Sequence, residues 1–127
     1  MALVQVKDAE GSVLDWMVAK CKGTPAVRMF ENSKGFRVYE NESMKMQGIN
    51  FAPSTNWSQG GPIIEREKIE LIPPKDEDDN EWMAVWYKCE DAEAGIQVGT
   101  SPIIAAMRCY VASKLGDEVD IPEELLP

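Results

Sequence analysis

Histidine does not occur among the 127 residues, and its absence excludes more chemistry than any residue present suggests. Gone with it are the usual general base, the commonest metal ligand and the Ser/His and Cys/His nucleophile pairs. Catalysis would fall to carboxylates, lysine or tyrosine. The sequence therefore reads as a non-enzyme, with no catalytic residues, no metal site and no cofactor. Cysteine is scarce: Cys21, Cys89 and Cys109 are odd in number and widely spaced. They form no CxxC pair, which argues against a zinc site or a disulfide framework and for buried, reduced thiols. No apolar run approaches the roughly 20 residues that span a bilayer, and residues 1–7 lack the basic-then-apolar pattern of a signal peptide. Positive charge is also short, 13 Lys and Arg against 22 Asp and Glu for a net −9. That field repels nucleic acids and anionic membranes at long range. The expectation is a cytosolic protein with neither as a partner. A small anionic ligand stays compatible, because main-chain N–H groups and one or two arginines act locally.

What is present is ordinary globular material, 44% apolar and 28% charged, in a length suited to one core. The reading is a single domain over 1–127, with 117–127 as an acidic tail anchored through Val119, Ile121 and Leu125. Apolar spacing predicts two main helices. The first, about 12–22, carries Leu14, Met17, Val18 and Cys21 on one stripe, with Ser12 as its cap, Asp15 in its first turn and Gly23 as a left-handed stop. Trp16 falls off that stripe and is assigned to rim packing or a sheet edge. The second, about 102–115, has Ser101 as cap, Pro102 at its first position and Gly116 as its stop. Strands are expected at residues 3–6, 26–30, 36–39, 69–72, 81–89 and 96–98, with a further short one within 41–50. In the strand 81–89 both faces are apolar, so it is either covered on both sides or covered on one by a second subunit. Residues 75–80 read as a solvated acidic loop lacking the glycine and terminal glutamate of an EF-hand. The fold class is α+β: an antiparallel β-sheet packed by the two helices, plus a short helix after Gly61.

Polar, glycine and aromatic residues are densest between Asn50 and Glu67. Pro62 fits the first position of a short helix, whose free N–H groups and partial positive charge suit a phosphate or carboxylate. Gly60 and Gly61 would admit an anion to the main chain. Ser54, Thr55, Asn56, Ser58 and Gln59 add neutral hydrogen-bonding groups, Trp57 a stacking surface, and Arg66 and Arg108 positive charge. Together these ten residues form a candidate ligand-binding set for a small anionic or nucleotide-like molecule. The same residues also fit a purely internal role, with Ser58 as a cap, the glycines as a turn and Trp57 in the core. The glycine pair matches neither a Walker loop nor a dinucleotide fingerprint.

Three blocks, Leu14–Cys21, Pro53–Glu67 and Ser101–Val119, resemble in content and order the NinX-like family, small accessory proteins of tailed bacteriophages and prophages. Asn56 stands where many relatives are expected to carry aspartate. The resemblance transfers no catalytic residue. It implies a dispensable, modulatory protein in the cytoplasm of the infected bacterial host. By analogy with phage accessory proteins, it implies a homo-oligomeric sponge that sequesters a small nucleotide-type immune signal. The alternative is a protein-interaction module that inhibits or modulates a host or phage protein through an acidic face.

Overall fold

A computed structural model of the chain describes residues 2–23, 25–29, 36–88 and 93–126. It is the α+β arrangement expected, with helices packed on antiparallel strands. The organising element is helix α4 (Pro102–Leu115). Its start follows the sequence: the Ser101 hydroxyl accepts from the Ile104 amide at 3.2 Å, and Pro102 occupies the first turn. Gly116 closes it at φ +90°, a value that glycine reaches without side-chain strain. Ile103, Ala105, Ala106, Met107, Cys109, Tyr110 and Val111 are all buried, so apolar residues surround the axis, as in a helix with neighbours on every side.

One neighbour is the sheet β4 (Glu70–Ile72), β5 (Trp82–Lys88) and β6 (Glu93–Gly99), in which β5 is central. Leu71, Ala84 and Gln97 lie opposite one another, as do Trp82 and Gly99, and Trp86 and Gly95. Directly paired residues share a face, and this face carries the side chains packed into the core. Gly99 lets α4 approach: a Cβ there would lie 2.8 Å from the Ala105 nitrogen.

Helix α1 (Gly11–Lys22) packs on the other side of α4, and against the strands Phe36–Tyr39 and Glu118–Ile121 as well. Residues 14 to 19 are buried without a break, which overturns the single stripe read from the sequence. Trp16 lies in the core at 6% exposure, not at a rim. The helix begins at Gly11 with no side-chain cap, so Ser12 does not cap it, and Gly23 ends it in an extended, not left-handed, conformation. Strands β2 (Ala26–Met29) and β3 (Phe36–Tyr39) pair antiparallel as expected; residues 30–35 between them lie outside the described residues, as does Cys89. Strand β1 (Ala2–Gln5) pairs with β7 (Glu118–Ile121), Val4 opposite Val119. The acidic tail is thus a built element, with Val119, Ile121 and Leu125 buried.

Residues 41–50 are not a strand. Glu42–Gln47 form helix α2, opened by the Asn41 side chain accepting from the Met44 amide at 2.9 Å and closed by left-handed Gly48. None of its residues is buried. Caps, not an apolar stripe, define this helix. Among the described residues no helix is long and apolar enough to cross a membrane.

Candidate functional site

Helix α3 (Trp57–Glu67) starts five residues before the position expected from Pro62. Asn56 is the cap, not Ser58. Its side-chain oxygen accepts from the Ser58 amide at 2.9 Å and from the Ser58 hydroxyl at 2.6 Å. Its carbonyl accepts from the amides of Gln59, at 3.1 Å, and Gly60, at 2.9 Å. Amides assigned from sequence to an incoming anion therefore already have partners within the chain. Gly60 and Gly61 lie inside the helix, not in a turn, and neither has a positive φ. Gly60 is buried because the helix runs against the Pro53 carbonyl and Ile103, whereas Gly61 faces open space. Pro62 also lies inside the helix, where it has no N–H to offer the Ser58 carbonyl.

The loop leading into α3 is tied at several points. Gln59 acts as a lace: its side-chain oxygen accepts from the Ala52 amide at 2.6 Å and its side-chain nitrogen donates to the Asn50 carbonyl at 2.8 Å. Thr55 and Asn56 both donate their amides to the Ala52 carbonyl. Below them the Ser54 amide donates to the Asp15 carboxylate on α1, at 2.9 Å. Ser54 and Asp15 are both buried, at 1% and 6% exposure. The nearby Ser54 hydroxyl acts to hold the carboxylate charged, but its buried oxygen has no hydrogen-bond partner that meets ordinary geometry. Burial dominates, pushing the Asp15 carboxyl up to about 6 against the lowering effect of Ser54. Asp15 was read from sequence as a first-turn charge on its helix. No local signal identifies its partner, 39 positions along the chain.

Above this anchored base, Trp57 is 51% exposed, so it is not a core residue. Thr55, Asn56 and Ser58 are exposed around it and Gly61 is half-buried, while Ser54, Gln59 and Gly60 hold the loop in place. The arginines do not join them. Nine residues after Trp57 on an α-helix, Arg66 is about 14 Å further along the axis and about 180° around it. Arg66 donates instead to Glu67 at 3.2 Å and, at 3.4 Å, to the Tyr110 hydroxyl. Arg108 is consumed by structure: Nε donates to the Ala9 carbonyl at 2.8 Å and a terminal nitrogen to the Val98 carbonyl at 2.7 Å. Burial lowers its pKa, while Glu10, Asp8 and Glu81 act to raise it. Arg108→Ala is expected to destabilise the fold by about 3 kcal/mol, roughly the sum of two charge-assisted bonds to carbonyls. Arg108→Lys, able to keep one of them, is expected to recover about half of that loss in urea unfolding.

A second cluster forms where α1, α3 and α4 end. Glu67 accepts from Lys114 at 2.9 Å as well as from Arg66, beside Tyr110 and Cys21. Burial pushes the Cys21 thiol up to about 12 and raises Tyr110. For Glu67 burial acts upward, but the hydrogen bonds from Lys114 and Arg66 outweigh it and hold the carboxyl below its usual range. Each shift moves its group away from the neutral range in which a general acid or base works well. Both cations sit in the last turns of their helices, where they offset the dipoles. The cluster therefore reads as a joint between helices.

The family model described as Bacteriophage P22, NinX matches residues 5–114, the greater part of the chain. No curated protein matches it.

Proposed function

We propose, on the premise that the chain belongs to the bacteriophage P22 NinX family, that it acts by binding and not by catalysis. Its ligand is a small nucleotide-type molecule, and its role is to sequester such a host immune signal in the infected bacterial cytoplasm. The observation that supports this reading is Trp57, an exposed ring at the first residue of a helix capped by Asn56, whose entry loop is laced by Gln59 and rooted on buried Asp15. A rigidly held aromatic side chain can stack on a planar base with little ordering cost at the moment of binding. The capped amides move the emphasis from main-chain capture of phosphate to stacking, with Thr55, Asn56 and Ser58 as neutral neighbours. A single exposed ring covers one face of a base. The reading therefore includes a homo-oligomer, in which a second copy closes the other face.

Calorimetry with cyclic nucleotides and ADP-ribose derivatives is expected to give saturable binding, with the ligand recovered intact after denaturation. Trp57→Ala should weaken binding at least tenfold while leaving the melting temperature within about 2 °C, as suits an exposed site. Absence of heat with every such ligand, or an unchanged affinity in the variant, would remove Trp57 from this role.

A further inference from the structure

The face of the β4–β5–β6 sheet turned away from α4 is apolar and only partly shielded: Val85 is buried and Ile72, Met83 and Val98 are half-buried, while Tyr87 and Ile96 stand open to solvent. Ile72, Met83 and Val98 lie side by side across it, then Glu70, Val85 and Ile96, with Tyr87 beyond. Tyr87 and Ile96 are more than half exposed, at 53% and 55%. The Tyr87 hydroxyl donates to Glu70 across the strands at 2.9 Å, which fixes the ring in place on the surface. An antiparallel sheet facing water normally alternates apolar-in with polar-out. Here β5 is apolar on both faces: the inner one joins the main core cluster, while the outer one buries Val85 but leaves Tyr87 exposed.

Charge identifies the occupant. Residues 70–81, the edge strand and the loop returning to β5, hold six carboxylates against one lysine. Asp76, Glu77, Asp78 and Glu81 are exposed. The loop joins Ile72 to Trp82 and so borders the Ile72–Met83–Val98 end of the face. An apolar centre with a charged rim is the usual anatomy of an interface. Two copies of this chain meeting here would bring like-charged rims together, which opposes association. Nucleic acid is opposed for the same reason. We infer that this face docks a basic, amphipathic segment of a protein partner, whose apolar side chains cover Ile96 and Tyr87 and whose lysines or arginines meet the acidic rim. The surface is separate from the Trp57 platform and does not depend on a ligand there.

The test uses the full chain with methyl-labelled Ile, Met and Val, and two synthetic peptides with the same apolar face. One carries lysine on its polar face and the other glutamate. The lysine peptide is expected to shift the Ile72, Met83, Ile96 and Val98 methyls saturably, with an affinity that falls severalfold from 50 to 300 mM salt. Ile96→Lys should weaken it at least tenfold. The double change Glu77→Lys with Asp78→Lys, confined to the exposed loop, should do the same without altering the fold, and Trp57→Ala should change nothing. Equal shifts with both peptides, no saturable shift, or methyl shifts that appear on concentrating the protein alone would each overturn the assignment.

Discussion

Replacing Gly60 with alanine is expected to cost about 3 kcal/mol of stability, while the same change at Gly61 is expected to add up to about 1 kcal/mol. On helix propensity alone both substitutions should stabilise, since both glycines lie inside α3. Packing separates them. A Cβ on Gly60 would stand 2.5 Å from the Pro53 carbonyl oxygen and 2.7 Å from the Ile103 Cδ1, distances at which backbone must move. On Gly61 it would meet nothing within 4 Å. Relief at Gly60 requires α3 to lift from the loop before it, with the Ile103 side chain shifting as well. Trp57 sits one turn earlier on the same helix, so its position should change with it. Chemical unfolding of the two variants measures the difference, and ligand titration of a folded Gly60→Ala protein would report the displaced ring. Equal stabilities for the pair would contradict the close approach.

The second large effect concerns Asp15. Burial pushes its carboxyl up to about 6 in the fold, against 3.8 for an ordinary aspartate, so between those values the folded chain holds a proton that the unfolded chain has lost. Stability from this group is therefore greatest below about pH 4, declines as pH rises toward 6, and is lowest above it. Two units correspond to about 3 kcal/mol. Glu67 acts in the opposite direction, since its pKa is lowered. The clean measurement is consequently a difference. Asp15→Asn keeps an oxygen for the Ser54 amide and adds an N–H for the orphaned Ser54 hydroxyl, without a charge to bury. Relative to wild type it should be more stable at pH 7 and lose about 3 kcal/mol of that advantage by pH 4. Asp15→Ala, which leaves the buried Ser54 amide unpaired, should fall below Asp15→Asn by about 2 kcal/mol at either pH. Parallel stability curves for wild type and Asp15→Asn would show that the carboxyl titrates as it does in water.

Where local chemistry was decisive, the elements were legible. Ser101-Pro102 and Gly116 bound α4 at the residues they predict. The alternation of 82–88 does define the central strand, and the paired strands around residues 30–35 follow from their pattern. Helix α3 was misplaced because two legitimate starts compete, Asn56 as cap and Pro62 as first residue. What decides between them is the contact of Gly60 with Pro53 and Ile103, which no local rule contains. Helix α2 was missed because its methionines and Ile49 make no stripe. The signal lay in Asn41 and Gly48 instead. As for the candidate site, the sequence located the exposed tryptophan and its polar neighbours. It could not show that Ser54, Gln59 and Gly60 are structural, or that the two arginines serve other parts of the molecule. Those facts depend on partners such as Asp15, Tyr110, Ala9 and Val98, distant in the chain. The amides counted on to receive an anion prove to be capped, while the aromatic ring does face solvent.

The pairing of Val4 with Val119 has a consequence for biogenesis. As the chain leaves the ribosome, β1 has no mate until Glu118–Ile121 has been made. A contact of such long sequence separation closes late and slowly. Until then Val6 and Ile121, fully buried in the finished molecule, remain available to chaperones and proteases. A nascent chain stalled before Glu118 would expose that unmated edge, so quality control is able to recognise chains that lack β7 at this seam.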